Sequence, residues 1–600
     1  MDNNNKNLIL ATALSFAVIL VWFLLFPPPE QPANVAVNEL EATQQLTSPV
    51  ATQATGTATI ETTTTEPTVD APRVTIETAR LSGSISLQGG RIDDLSLKDY
   101  RETLDDDSEI VHFFKPRGTA GSYYALYGWA PGTGLTLDTV PGANTIWSAE
   151  PGASLSENGS VLLSWDNGNG LTFRREISVD ENFLFSVKQS VENTGAGTVS
   201  LAPYGVLARH GEPEDLKNFF ILHEGMVSMS DGELNELDYD GMTDFEFNQN
   251  EGAKAEATQV SESGWIGFTD HYWMATLIPS QTSAFRSVAK YDDRRDIYQT
   301  EAVMPTETLA PGQSVTVESQ LFAGAKEWAT IRGYQNEGGI NGFLDSIDWG
   351  WFFFLTKPIF ALLHWLNSVI GNMGWSIIAL TVIIKIIVFP LAYKSYASMA
   401  RMKELQPQIE KLKESAGDDR QKMQQEMMAL YKSEKVNPAS GCLPLLIQIP
   451  IFFSLYKVIF VTLELRHAPW IGWLTDLSAP DPTSIFNIFG LLPFAVPDLG
   501  LFEILSLGVL PILLGVSMWL QQKLNPAPTD ATQAMIFAWM PWVFMFMLGS
   551  FASGLVVYWI ANNTITFTQQ YLIMRSHGFK PDVFGNIKGS FKRKAKADDK

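Results

Sequence analysis

Sulfur chemistry is nearly excluded from this chain, because its 600 residues include a single cysteine, Cys442. One thiol closes no internal disulfide and cannot build a cysteine-based zinc or iron–sulfur centre. Positive charge is scarce in the long polar part. Residues 27–350 hold 19 Lys plus Arg against 48 Asp plus Glu, a balance of 19 − 48 = −29. A surface of that sign repels phosphate backbones, which excludes a nucleic-acid-binding protein. No nucleotide motif occurs, and His112, His210, His223 and His271 are scattered without metal-ligand spacing. Neither a metal nor another cofactor is therefore expected. Acidic runs such as Asp105, Asp106 and Asp107 read as a solvated face.

The remainder is different. Residues 351–600 hold 22 basic and 16 acidic side chains, a balance of +6. Long uncharged runs are also present. Residues 8–26 are 19 uncharged, mostly apolar positions, about 28 Å of helix and close to the thickness of a bilayer core. The run ends in Phe26, Pro27, Pro28 and Pro29 without a small-x-small cleavage site, so an uncleaved signal anchor is expected. Further spans are expected over 370–391, 443–463 and 502–522. The uncharged run 531–574 has 44 residues, roughly 66 Å of helix and twice what one crossing needs. Ser550, Phe551, Ala552, Ser553 and Gly554 divide it, giving spans over 534–549 and 555–574 around a turn at 550–554.

Six spans bring both termini to one side, and lysine and arginine select the side. Residues 392–442 carry nine basic residues and 572–600 carry eight, including Lys592, Arg593, Lys594 and Lys596, whereas 464–501 has Arg466 alone. The expected organisation is a cytoplasmic N-terminus over 1–7 and a cytoplasmic segment over 392–442. A cytoplasmic loop over 523–533 and a basic cytoplasmic tail over 575–600 complete that side. The loop 464–501 then faces the periplasm.

Residues 27–72, rich in Thr, Ala, Pro and Gln, bury too little to fold and read as a disordered periplasmic linker. Beyond it the apolar period is two: Val74, Ile76; Ile85, Leu87; Val161, Leu163, Trp165; Phe173, Ile177, Val179; Phe183, Phe185, Val187. Turn clusters at 166–170 and 193–197 separate such runs. A large antiparallel β-sandwich over 73–345 is expected in the periplasm.

Polar residues inside the apolar runs carry the functional signal. Lys385 lies near the middle of the run 375–390, where a charge costs about 2.5–3.5 kcal/mol on insertion scales. It can snorkel past Pro390 to the cytoplasmic interface, or be solvated internally. Thr381 lies one turn away on its face. Gln448 in the third span and Asn562, Asn563 and Thr566 in the sixth fall in the same cytoplasmic half. A shared water-filled groove accommodates all of them. A through-pore would need polar lining across the whole thickness, and the spans offer only Glu503 near an outer end. Lys457, closer to the outer face, either snorkels or pairs with Glu503.

Residues 346–369 mix aromatics with Lys357, Pro358 and His364, as in an amphipathic interfacial helix. The segment 394–437 places Leu405, Ile409 and Leu412 on one helical face and Met423, Met427 and Leu430 on another, with a turn at 416–419. A cytoplasmic hairpin results. Met399, Met402, Met423, Met427 and Met428 serve either as packing or as an adaptable surface for apolar clients.

These residues also carry a resemblance. Residues 426–450, EMMALYKSEKVNPASGCLPLLIQIP, then LELRHAPW and SGLVVYWIANN, resemble the YidC/Oxa/Alb family of membrane protein insertases. GGRIDDLSL and GWIGFTDHYWMATLIP resemble the periplasmic β-supersandwich of its Gram-negative members. The resemblance implies a six-span α-helical bundle plus that β domain, in the bacterial inner membrane. It implies a basic residue in the second span facing a hydrophilic groove, here Lys385 where most bacterial members carry Arg. Lys keeps the charge but loses the planar fork. It places Gln448 in the groove, and Tyr558 and Trp559 where a Tyr–Tyr pair is usual. The stretch 488–501 is longer than the family pattern and is assigned no role.

The resemblance further implies an activity without covalent chemistry: insertion, folding and assembly of nascent membrane proteins, alone or beside the Sec translocon and its accessory subunits. Ribosomes would be reached through the hairpin and basic tail, which can equally touch anionic membrane lipids. Two other classes compete. A membrane-anchored, carbohydrate-active periplasmic enzyme needs a positioned acid and base that the sequence does not reveal, and a transporter needs a through-path.

Overall fold

The computed structural model describes residues 71–105, 107–217, 222–416, 419–434, 436, 443–492, 506–525 and 531–578. The signal anchor 8–26, almost all of the linker 27–72, the tail beyond 578, Cys442 and Glu503 lie outside the described residues.

Alternating apolar positions build two sheets, one of twelve strands and one of nine. In the smaller sheet, Leu184–Asn193 lies between Leu171–Val179 and Ser314–Ala325, with Val187 opposite Ile177. The pairings are antiparallel except that Arg73–Glu77 runs parallel to Ser154–Ser156. The turns expected at 166–170 and 193–197 end these strands. The sheets meet face to face through Tyr123 against Phe268 and Trp129 against Phe173, and the inward side chains form one core. This is the large β-sandwich read from the period-two pattern.

Arg175 is a charged residue at an inward position. It alternates with Phe173 and Ile177 on the buried side of its strand. Its guanidinium donates to the carbonyls of Gly89 and Gly90, each at 3.0 Å, and of Tyr127 at 2.5 Å, while lying over Trp147. Gly90 has φ +61, and a Cβ there would meet Arg175 Nη1 at 2.4 Å. The GGR motif is thus the receptor of a buried arginine.

Helices follow the sandwich: α1 (Trp328–Asn336), α2 (Phe353–Ile370), α3 (Met373–Ala416), α4 (Arg420–Ser433), α5 (Leu443–Val461), α6 (Val509–Leu524), α7 (Ala531–Met547) and α8 (Ser553–Ser576). Helix α3 ends at Ala416, and Asp419 caps α4 by accepting from the amides of Gln421 and Lys422. The second span and the first hairpin arm are one continuous helix of 44 residues, with Pro390 and Pro407 inside it. Residues 548–552 form the turn between α7 and α8. Among the described residues, Phe353–Ile370 and Met373–Ile409 are long and apolar enough to cross a membrane, and shorter apolar helices include Leu446–Val461, Val509–Leu524 and Met535–Met547. Helix α8 packs along α3 and α6, whereas α5 meets α3 and α8 at few positions. Polar side chains of α3, α5 and α8 meet between these three helices.

Candidate functional site

Helix α3 carries half-buried Lys385 into this space. Its Nζ donates to Thr566 Oγ1 on α8 at 2.8 Å and to Gln448 Oε1 on α5 at 3.3 Å. Gln448 Nε2 donates in turn to Tyr558 Oη at 2.9 Å. Thr566 Oγ1, while accepting from the ammonium, donates to the carbonyl of Asn562 at 2.6 Å. Tyr558, Asn562 and Thr566 share one face of α8 because they recur every four residues. A single helical stripe therefore holds the lysine directly through Thr566 and braces its other partner, Gln448, through Tyr558. The ammonium is solvated by side chains from two other helices, so snorkelling is not its only stabilisation.

Other expected residues diverge. Thr381 is buried, and its hydroxyl donates to Ile377 O of its own helix at 2.7 Å, not toward Lys385. Asn563 turns to α6, donating to Ser517 Oγ at 3.1 Å. Asn562 Oδ1 is buried without a hydrogen-bond partner among the described residues. Trp559 packs with Phe452, ring centres 4.6 Å apart, and with Phe544 at 6.2 Å. Met399 and Met402 pack with Tyr396, Ile573 and Met574, whereas Met423 and Met427 are half-exposed and Met428 is 60% exposed. The first two methionines are core, and the α4 methionines form a surface.

The polar ties of α8 to α6 were missed from sequence: Asn563 to Ser517, and Gln570 Nε2 to Asn525 Oδ1 at 3.1 Å. Their signal was faint, isolated small polar residues in or beside apolar runs.

At the opposite end of α5, Lys457 pairs with Asp348, both buried. Asp348 Oδ2 also accepts from the His223 amide at 2.7 Å. His271 Nε2 donates to Phe460 O at 2.8 Å, tying the sandwich to the last turn of α5. Burial lowers the His271 imidazole to about 3 and the nearby Lys326 ammonium to about 8. Arg466 Nη2 donates to Arg101 O at 2.5 Å and Glu102 O at 3.2 Å. The sandwich is thus seated on the α5 end and the loop that follows.

A β-sandwich seated on apolar helices, with one lysine solvated internally among three of them, defines an integral membrane protein rather than a soluble hydrolase. The family described as "YidC periplasmic domain" matches residues 73–362, and "60Kd inner membrane protein" matches residues 365–580. Proteins named "Membrane protein insertase YidC" from Ruegeria pomeroyi and Dinoroseobacter shibae are 66% and 63% identical to the chain, each over the full length of both proteins. The chain belongs to the YidC family of membrane protein insertases.

Solved structures, among them the following two, are also similar. "Active YidC insertase crystal structure with the first transmembrane domain resolved" is 19% identical over 83% of this chain and 92% of that one, with a TM-score of 0.34. A galactose mutarotase related enzyme from Lactobacillus acidophilus is 11% identical over 42% of this chain and 97% of that one, with a TM-score of 0.29.

Proposed function

We propose that this chain inserts nascent inner-membrane proteins through a hydrophilic groove among α3, α5 and α8, open toward the cytoplasmic leaflet, and helps them fold and assemble. The observation that carries this is the Lys385 ammonium held by Gln448 and Thr566 from two other helices. A polar cavity reaching partway into the bilayer shortens the apolar barrier that a client's polar flank must cross. Lys385 attracts an acidic flank, and burial of the client's apolar helix in lipid supplies the driving free energy. Thr381, Tyr558, Trp559, Asn562 and Asn563 complete the groove wall and its support.

In this proposal the chain spans the membrane six times, by residues 8–26 and by α3, α5, α6, α7 and α8. Both termini and the hairpin are cytoplasmic, and the sandwich is periplasmic. Helix α2 lies along the interface. Its polar anchors support that: Lys357 pairs with Asp345, and His364 Nδ1 lies 3.6 Å from Glu464 Oε1. The Sec translocon and its accessory subunits are partners in assembly. The α4 methionines and basic tail meet ribosomes or clients, and the tail also meets anionic lipid.

The test is reconstitution. Proteoliposomes carrying the purified chain are expected to insert a single-span client with an acidic external tail. Insertion no greater than in protein-free liposomes would end the proposal.

A further inference from the structure

The turn 485–492 is not explained by a groove. It lies within 482–497, sixteen residues without charge between Asp481 and Asp498. It is fixed to the start of α6: Ile485 N donates to Leu507 O at 2.9 Å, and Asp481 and Thr483 accept from the amides of Leu510 and Val509. Yet the turn exposes Ile485, Phe486, Ile488, Phe489, Leu491 and Leu492, with Leu491 80% exposed.

Its backbone is strained to do so. Ile488 and Phe489 have φ 53 and 57, a left-handed conformation that β-branched and bulky residues rarely adopt. Several of its amides are bonded within the turn or to the residue before it. Phe489 N donates to Ser484 O at 2.7 Å, Leu492 N to Asn487 O at 3.0 Å, and Gly490 N to Asn487 Oδ1 at 2.9 Å. Amides already bonded in the chain lower the cost of placing the turn at the lipid boundary, outside the hydrocarbon core from which irregular backbone is excluded. A protein partner would be met by a polar rim around the apolar centre. Asp481, the nearest charged residue in sequence, is committed to capping α6 and to Trp473 Nε1 at 3.1 Å. Trp473 is itself a side chain suited to the membrane–water boundary.

We infer that residues 485–492 form an apolar foot resting in the lipid leaflet at the N-terminal end of α6, a helix that itself exposes Leu513 and Val516. This rests on the membrane-spanning role proposed for α6. The foot fixes the depth of α6, to which Asn563 of the groove helix is tied.

The test uses the full chain in Cys442→Ser background, spin-labelled singly at Leu491→Cys or Phe486→Cys in nanodiscs of phosphatidylethanolamine and phosphatidylglycerol. Leu513→Cys serves as the lipid control and Leu162→Cys, on the sandwich, as the aqueous one. Collision with oxygen relative to a water-soluble nickel chelate is expected to be several-fold higher at 491 and 486 than at 162, approaching 513. Nickel accessibility equal to that at 162 overturns the foot, as does shielding from both agents, which would mean contact with protein or a second copy. If 513 itself is nickel-accessible, the spanning role of α6 fails instead.

Discussion

The Lys385 ammonium and the Thr566 hydroxyl, 181 positions apart in the chain, meet at 2.8 Å between α3 and α8. The threonine is neither snorkelled past nor incidental, because it accepts from the lysine while donating into its own helix. A hydrogen bond to a charged group contributes about 1.5–3 kcal/mol, enough to set the resting position of the cation.

Substitution of Lys385 is expected to grade insertion of a client with an acidic external tail in the order wild type, Lys385→Arg, Lys385→Ala, Lys385→Glu. Loss of one charge-assisted contact of about 1.5–3 kcal/mol corresponds to roughly tenfold or more in client capture. The insertion assay in proteoliposomes, with folding checked by thermal unfolding, is the measurement. Equal insertion by all four would assign the groove to the polar neighbours alone.

Thr566→Val keeps the shape and removes the hydroxyl, leaving Lys385 with Gln448. Destabilisation of about 1 kcal/mol is expected because a half-buried ammonium loses one of its two side-chain acceptors, and Thr566→Ser should restore most of it. Thermal unfolding of the three proteins in one detergent decides this. Indistinguishable midpoints for Val and wild type would mean that the hydroxyl is dispensable.

The Lys457–Asp348 pair is buried, and Asp348 also accepts from the His223 amide. Asp348→Leu or Lys457→Met alone is expected to cost about 1–3 kcal/mol, and the two together less than the sum of the single losses. A double-mutant cycle on unfolding midpoints reads the coupling. Additive losses would place the stabilisation outside the pair.

Burial holds the His271 imidazole at about 3, against 6.5 for an ordinary histidine. The unfolded chain therefore takes up a proton below about 6.5 that the folded chain refuses until about 3. Its stability contribution is full above about 6.5 and is lost as pH falls toward about 3, at no more than about 1.4 kcal/mol per pH unit. His271→Asn should flatten the dependence of sandwich unfolding on pH between about 6.5 and about 4. Parallel curves for the two proteins would contradict this.

Much of this protein was legible in the one-dimensional pattern, because period and charge are local properties. Alternation such as that of Leu171, Phe173 and Ile177 fixes a strand and its inward face. The uncharged runs locate the apolar helices, and a lysine at 385 demands solvation wherever its helix lies. The motifs around Gln448 and Tyr558 carried the family. Tertiary structure decided which polar residues meet. Tyr558 and Thr566 both reach the α3–α5 space because they share a stripe, while Asn563, one residue from Asn562, turns to Ser517. Thr381 spends its hydroxyl on its own helix. Asp348 finds Lys457 across 109 positions, which no local pattern encodes. Partner choice depends on helix rotation and packing distance, and those are set only when the whole chain closes on itself.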